Sequence, residues 1–421
     1  MTYFKSEAVN KSKSQSLSAI GKILDSAQKA AQKQDWLEVS NCLKELPQSE
    51  AKLLLLESAQ WQTAFDLALE MLLKADFQHK WEITKLLPSF GEDLIPPLAS
   101  LVQDETTEAE VRWFICQILG NFPNQKVVLT LVELLQQTTD EELIAIAGKT
   151  LTKIGNNAID ALVELYAQPE YRRLAVQSLY YIRTAETIEP LLKIIQDTQP
   201  ELRTIAIKAL SSFHDPRIPA VLITALEDSA SSVRKEAAIA LGFRSDLCQE
   251  FGLINHLRPL LFDLNLEVCR QAAVSLGRMK TKEANAVLFS VLQAETTPVS
   301  LKLDLIKALG WSEISSAIDY LNQALTNKSE LVRQEIIITL GRITAQQLQQ
   351  QAAQVLVNFW QDNQAFCDSQ IKQALATSLG ELRCSCAQIT LEQLATDSDR
   401  KVKLHALSAL KKLSLTMNNE Q

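Results

Sequence analysis

The sequence predicts an all-α solenoid, because one helical unit recurs with a period of roughly 31 residues through most of the chain. Each unit has a leucine with apolar residues eight and four positions before it, the spacing of one buried helix face. These anchor leucines are Leu87, Leu119, Leu151, Leu179, Leu210, Leu241, Leu276, Leu309, Leu340, Leu379 and Leu410. Glycine and proline, at 11 and 12 in 421 residues, are too few for a turn-rich β fold.

The repeat divides the chain into four predicted segments. Residues 1–16 are rich in serine and lysine and are expected to form a mobile arm. Residues 17–76 are helical in pattern without the repeat, which suits a divergent N-terminal cap. The solenoid proper covers 77–413, and 414–421 form a C-terminal tail. We expect a cytoplasmic protein with no membrane span, since no apolar run approaches the required length and the N-terminus lacks a signal-peptide stretch.

Each unit is predicted to contain two helices, with the anchor leucine on the second. The first helices are predicted at 93–102, 126–135, 157–166, 187–195, 218–226, 253–262, 282–292, 315–325, 346–360 and 386–394. Glycines follow the anchors by one to four residues, and we expect them to supply left-handed caps at the ends of the second helices. They are Gly120, Gly155, Gly242, Gly277, Gly310, Gly341 and Gly380.

A basic residue stands seven positions before nearly every anchor. The series is Lys80, Arg112, Arg172, Arg203, Arg234, Lys302, Arg333, Lys372 and Lys403, interrupted only by Ile144 and Cys269. In five units an aspartate precedes it, where a carboxylate can cap a helix and meet a basic side chain. We interpret the series as an internal structural ladder, because a repeat architecture places the same charge in every unit. A basic groove for polyanions is the alternative.

A family resemblance is carried by the units around Leu241. The segment from His214 to Leu222, followed by Leu226–Asp228 and by Val233–Ala238, resembles HEAT repeats, and it is most similar to the short repeats of phycobilisome lyases. The resemblance covers about residues 77 to 413. It implies a right-handed α-solenoid of about eleven HEAT-like helix pairs, whose second helices line the concave side.

The repeat geometry also predicts which residues of the second helices are exposed. Positions two and six before each anchor point away from the buried face of the second helix. At position six, Trp81 and Trp113 occupy adjacent units, and Arg173 and Lys235 follow further along. Tyr180 and Tyr181 come directly after an anchor, near the helix end. These six residues are the candidate partner-binding set, since tryptophan and arginine are favoured at recognition sites. Ordinary packing of the aromatic rings is the alternative.

The sequence offers few candidates for catalytic or metal-binding residues. The four histidines are far apart in the repeat ladder, and no phosphate-binding glycine loop or nucleophile elbow is present. Seven cysteines without a secretion signal indicate free thiols. Cys367, Cys384 and Cys386 lie closer together, with His405 as the one plausible fourth ligand, but a second closely spaced pair is absent, so we expect no metal. A net charge of −8 argues against nucleic-acid binding.

The sequence therefore favours a non-catalytic scaffold or adaptor that binds another protein on its concave face, without a cofactor. The resemblance implies an alternative, a phycobilin lyase or bilin chaperone that handles an open-chain tetrapyrrole for a phycobiliprotein or another photosynthetic-complex subunit. In that case the aromatic patch would hold the pigment rings, and Arg173, Arg112 or Lys235 would meet the propionates. Whether the protein is an enzyme stays open, a bilin lyase being the enzyme considered.

Overall fold

The computed structural model describes residues 19–46, 58–327 and 329–419. The predicted mobile arm, 1–16, lies outside these ranges. Within them the chain is built from helices, turns and short connections, with no β-strand. None of the described helices combines the length and apolar character needed to cross a bilayer. The all-α class is thus confirmed for this part of the chain.

The chain forms two compact units, Met1–Ile194 and Ile195–Gln421. In the first unit, residues 19–32 form α1. The helices that follow are α2 (Trp36–Glu45), α3 (Ser58–Lys74), α4 (Phe77–Leu86), α5 (Ile95–Gln103), α6 (Ala109–Leu119), α7 (Gln125–Gln137), α8 (Glu141–Ile154), α9 (Ile159–Tyr166), α10 (Arg172–Ile182) and α11 (Ile188–Ile194). Helix α3 packs against α4, so the first helix pair begins within the segment that the sequence assigned to the cap.

The second unit contains the remaining helices. They are α12 (Pro200–Leu210), α13 (Ile218–Ala225), α14 (Ser231–Gly242), α15 (Leu253–Leu257), α16 (Leu266–Arg278), α17 (Lys282–Gln293), α18 (Val299–Ser312), α19 (Ser315–Ala324), α20 (Glu330–Gly341), α21 (Gln346–Asn363), α22 (Ser369–Leu382), α23 (Gln388–Leu394) and α24 (Arg400–Asn419). Residues 414–419 of the predicted tail are therefore helical. The helix predicted at 253–262 is divided, because it ends as a 3-10 segment, Arg258–Phe262, whose second residue is a proline.

The anchor leucines form the core of both units. From Leu87 to Leu379 all ten are fully buried, whereas Leu410 in α24 is half-buried. The second helices pack in chain order, α4 to α10 within the first unit and α12 to α24 within the second. Each unit is a stack of helix pairs, as the repeat predicted.

The glycines past the anchors do not have the predicted role, with one exception. Gly155 has a left-handed backbone, with φ of 76°, but the others do not. A methyl group on Gly277 would lie 2.5 Å from the carbonyl oxygen of Ala308 on the next second helix. Gly242, Gly310, Gly341 and Gly380 meet Ser275, Thr339, Ser378 and Ala409 in the same way. These glycines therefore permit close approach of neighbouring helices, and Arg183, Glu313 and Arg383 supply left-handed helix ends.

The basic ladder is internal at Arg203 and Arg234, as predicted, whereas Lys403 at its end is exposed. Arg203 donates to both carboxylate oxygens of Asp228, from Nε at 2.8 Å and from Nη2 at 2.6 Å. Its Nη1 also donates to the backbone oxygen of Asp197, at 2.8 Å. Arg234 repeats the arrangement one unit on, with Asp263 at 2.7 and 2.8 Å. Each arginine thus joins the turn of its own unit to the turn of the next.

The turn aspartates differ from the prediction in one respect. Asp228 accepts the backbone N–H of Ala230, and Asp263 accepts that of Asn265, both at 2.8 Å. These are bonds to the residue two positions on, which shape the turn and do not cap the helix that follows. Where Cys269 interrupts the ladder, its Sγ contacts the backbone oxygen of Asp263 at 3.2 Å.

Candidate functional site

The second helices expose one face in both units. The residue six positions before the anchor is exposed or half-buried in every repeat from Leu87 to Leu410. On the opposite side of these helices, the residues eight and four before the anchors are largely buried. The 100° step of an α-helix accounts for this separation of faces. We call the exposed side the second-helix face, and all predicted site residues lie on it or at its edge.

The side chains of Trp81 and Trp113 are each partly buried and partly exposed to solvent. Trp81 on α4 is 37% exposed, and Trp113 on α6 is half-buried. Both rings contact the fully buried Phe114, with centroids 6.4 and 5.1 Å apart in edge-on geometry. The exposed ring of Phe77 lies 5.2 Å from the same phenylalanine. Phe114 therefore holds three partly exposed rings, and we call these four residues the tryptophan cluster.

The edge of the tryptophan cluster is charged. Lys85 places its Nζ 5.7 Å from the centre of the Trp81 ring and forms an ion pair with Glu82 at 2.9 Å. Lys44 reaches the same carboxylate from α2, at 3.2 Å. Hydrogen bonds from these two lysines hold the pKa of Glu82 below its ordinary value, so the carboxylate is ionised at neutral pH. An apolar centre with a polar rim is the arrangement found in protein-binding surfaces.

Tyr180 and Tyr181 lie at the end of α10, as predicted. Their ring centroids are 4.8 Å apart, and Tyr181 is 66% exposed. Arg183 places its guanidinium 5.2 Å from the Tyr180 ring and donates from Nη2 to the Tyr180 hydroxyl at 3.3 Å. Sequence reasoning missed Arg183, because it is brought back over the ring by its left-handed backbone, with φ of 53°.

The predicted set is not one site. Arg173 is exposed on α10 with the tyrosines, whereas Lys235 is half-buried on α14, in the second unit. Beside Lys235, burial raises the pKa of Glu236, and the nearby charges of Lys208 and Lys235 oppose that rise. Arg112, expected as a possible propionate partner, is buried and donates from Nε to the backbone oxygen of Val102 at 2.8 Å. That expectation is wrong, because Arg112 belongs to the internal ladder.

A second set of exposed residues was missed by the sequence reading. Two positions after their anchors stand Phe243, Arg278, Trp311 and Arg342, in four consecutive units. Phe243 is 66% exposed and Trp311 is 53% exposed. The Arg278 guanidinium lies 4.2 Å from the centre of the Phe243 ring. Extending the face calculation by one turn beyond the anchors would have found this arginine–aromatic stripe.

The thiols are mostly shielded. No disulfide links the cysteines, and Cys42, Cys116, Cys248 and Cys269 are buried. Burial raises the pKa of Cys116 to about 12 and also raises the pKa values of Cys384 and Cys386, which favours protonated thiols. His405 contacts the Thr377 hydroxyl through Nδ1, at 3.0 Å. Among the residues that the structure describes, no group of three potential ligands could hold a metal ion.

Comparison with known proteins finds HEAT repeats. The family model for HEAT repeats matches residues 95–179 and 167–242. A curated relative, the bilin biosynthesis protein MpeU of Synechococcus sp. (strain WH8020), is 38% identical over 90 residues. That match covers 20% of this chain and 29% of MpeU, so the chain spans less than a third of that relative's length.

Solved structures of other helical proteins are also similar. The complex of CpcE and CpcF of phycocyanin lyase from Nostoc sp. PCC7120 matches at 21% identity and a TM-score of 0.32, covering 55% of this chain and 92% of that one. Kap121p matches at 14% identity and a TM-score of 0.46, covering 90% of this chain and 51% of that one.

Proposed function

Because HEAT repeats match residues 95–179 and 167–242 and each unit is a stack of helix pairs, we propose that this chain is an adaptor that binds another protein on the exposed face of its second helices, the face expected to be concave. The tryptophan cluster carries this proposal. Its rings are held by Phe114 before any partner arrives, so little side-chain entropy is lost on binding. Covering the exposed part of Trp81 would remove apolar surface from water, and such aromatic anchors contribute strongly to binding.

The surroundings of the cluster indicate what the partner presents. The Trp81 and Phe77 rings offer an apolar contact, and Lys85 beside Trp81 offers a cation at its edge. Arg173, Tyr180 and Tyr181 extend the same unit with a second exposed group of aromatic and cationic side chains. A partner surface with an apolar centre and acidic residues at its rim is complementary to both groups.

The test is truncation of Trp81 to alanine in the full chain. The partner is first isolated by affinity capture from the source organism and identified. Trp81→Ala should then weaken its binding by about 2 kcal/mol, the scale of a hot-spot residue, with the far-ultraviolet circular dichroism unchanged. Phe262→Ala is the control, since it removes an exposed aromatic ring from the other unit that is not part of the arginine–aromatic stripe. Equal loss of binding in both variants, or a large fall in melting temperature for Trp81→Ala, would contradict the proposal.

A second candidate is a phycobilin lyase or bilin chaperone, and the similarity to the bilin biosynthesis protein MpeU favours it. Here the tryptophan cluster would stack on an open-chain tetrapyrrole, and the exposed Arg173 would meet its carboxylates. Arg112 is excluded from that role by its burial. The acceptor would be a cysteine of a phycobiliprotein or another photosynthetic-complex subunit.

Mixing the purified protein with a bilin separates the two candidates. A pigment site should give an induced visible circular dichroism band and saturable binding, both reduced by Trp81→Ala and by Arg173→Ala. Transfer of that pigment to a cysteine of an acceptor subunit would establish the lyase function and reject the non-catalytic adaptor. Binding of a protein partner without any bilin signal would reject the lyase and chaperone readings.

A further inference from the structure

We propose that the second unit carries a separate docking surface, the arginine–aromatic stripe, for an extended acidic segment of a partner protein. The stripe alternates ring and guanidinium over four consecutive second helices, in the order Phe243, Arg278, Trp311 and Arg342. It lies wholly within Ile195–Gln421, apart from the tryptophan cluster of the first unit. Its test is therefore independent of the adaptor function proposed for that cluster.

The position of each stripe residue follows from the glycine before it. Gly242, Gly277, Gly310 and Gly341 each immediately precede one member of the stripe. At these glycines a methyl group would overlap the next second helix, so the helices approach most closely there. Neighbouring members of the stripe consequently stand on helices whose axes are about 8 to 10 Å apart. The glycine contacts therefore hold the helices that carry neighbouring members close together.

The stripe cations are available, unlike those of the internal ladder. The guanidinium groups of Arg203 and Arg234 are already paired with the carboxylates of Asp228 and Asp263. Among the described residues, by contrast, neither Arg278 nor Arg342 forms an ion pair with a carboxylate. The face of the Arg278 guanidinium stacks on the Phe243 ring, 4.2 Å from its centre. The N–H groups at the edge of the guanidinium stay available for other hydrogen bonds. A carboxylate is the partner that a guanidinium binds best, through two parallel hydrogen bonds.

The spacing of the stripe selects an extended chain. A polyproline II segment rises about 3.1 Å per residue with three residues per turn, so every third side chain returns to the same face after about 9 Å, close to the separation of adjacent second helices. A segment with an apolar residue and an acidic residue alternating at every third position would set the apolar side chains on Phe243 and Trp311. Its carboxylates would then meet Arg278 and Arg342. Lys307, one turn before Trp311, adds a further positive charge.

A groove continues the stripe at Arg342. It has a volume of about 950 Å³ and lies between α20 and α22, lined by Gln334, Gln373 and Thr377 among others. Its base is the close contact of Gly341 with Ser378. Side-chain amides there can pair with the N–H and C=O groups of an extended peptide. Nucleic acid fits less well, because the chain carries a net charge of −8 and Glu381 also lines the groove.

The test uses a fluorescent synthetic peptide in which leucine and glutamate alternate at every third position, with serine between them. The full-length protein should bind it saturably, and more weakly as salt is raised. Trp311→Ala and Arg278→Ala should each weaken binding about tenfold or more without changing the melting temperature. The controls are Arg217→Ala, a half-exposed arginine of the same unit, and Phe262→Ala, which removes an exposed ring outside the stripe, and both should bind the peptide as the wild type does.

Two peptide controls complete the experiment. Replacing the glutamates by glutamine should abolish measurable binding, and grouping the leucines and glutamates into separate blocks should weaken it about tenfold. The proposal is overturned if the alternating peptide does not bind, if the block peptide binds equally well, or if the stripe variants have no effect. Equal displacement by single-stranded DNA of matched charge would also overturn it, because the stripe would then be an unspecific cationic patch.

Discussion

At the residue scale, the same side chain has two roles that depend on its position in the repeat. Seven positions before the anchor, Arg203 and Arg234 are enclosed and bound to aspartates of the next turn. Two positions after the anchor, Arg342 is exposed and the half-buried Arg278 stacks on the exposed ring of Phe243. The first position gives the protein internal cohesion, and the second gives it a surface that can recognise carboxylates. Composition alone would treat these arginines as equivalent.

The enclosed pair of Arg234 and Asp263 should contribute to stability in a pH-dependent way. The hydrogen bond from Arg234 holds the pKa of Asp263 below its ordinary value of 3.8. The ion pair therefore stabilises the folded state fully above pH 3.8. That stabilisation is lost as the pH falls through the lower pKa that Asp263 has in the folded protein. Asp263→Leu should cost on the order of 3 kcal/mol near neutral pH, because it leaves a guanidinium 18% exposed and unpaired. The difference from wild type should shrink as the pH falls below 3.8.

The measurement is urea unfolding of both proteins from neutral pH down to about pH 3. Asp215→Leu serves as a control, since Asp215 makes the same kind of turn and its partner Arg217 is 51% exposed. Solvent screens that pair, so its loss should matter much less. A pH-independent difference for Asp263→Leu would show that the ion pair does not account for its effect.

At the scale of the element, neighbouring second helices are brought together by glycine. Gly277 lies within α16, where a glycine is unfavourable for an isolated helix by about 1 kcal/mol relative to alanine. The structure retains it because the carbonyl oxygen of Ala308 on α18 occupies the space that a methyl group would need. Tertiary contact thus overrides helix propensity, and at Gly242 and Gly341 the side chains of Ser275 and Ser378 occupy the equivalent space.

Gly277→Ala should therefore destabilise the protein by about 1 to 3 kcal/mol, as for overpacking of a tight contact. Gly21→Ala is the matched control, because the nearest atom there, Nε2 of Gln60, would be 3.8 Å away, at an ordinary contact distance. It should be neutral or stabilising by up to about 1 kcal/mol. Chemical denaturation of the two variants gives both values, and stabilisation by Gly277→Ala would contradict the close-contact interpretation.

At the scale of the whole molecule, each unit is held by contacts between helices that are close in the chain. Helix α14 packs on α12, α13 and α16, and its anchor Leu241 is fully buried between them. In such stacks a change in one repeat acts mainly on that repeat and its neighbours. Stability is therefore expected to vary along the chain.

Leu241→Ala should cost on the order of 2 to 5 kcal/mol in local stability, from lost burial and the cavity left behind. Amide hydrogen exchange should accelerate in α12 to α16, and α4 to α8 should keep their protection. Lys235→Ala, on the exposed side of the same helix, is the control and should leave both regions unchanged. Uniform acceleration throughout the chain would show that the molecule opens as one cooperative body.

Much of the fold follows from local periodicity. The anchors at Leu119, Leu241 and Leu340, and their helix pairs, are predicted correctly. The apolar spacing of four residues that identifies them can be read within one segment, without knowing which helices pack beside it. The outward direction of Trp81 and Trp113 follows from the same arithmetic. The buried Phe114 that holds both rings could not be identified, since it depends on how α4 and α6 approach each other.

The sequence by itself determined the all-α class, the repeat and its buried positions. Only the tertiary structure decided that Gly277 and its equivalents serve close helix packing, and that Arg112 is enclosed while Arg278 stacks on Phe243. The physical reason is that periodicity records which way a side chain points along one helix. The partner it meets is set by the distance to a neighbouring helix, which no single segment of sequence encodes.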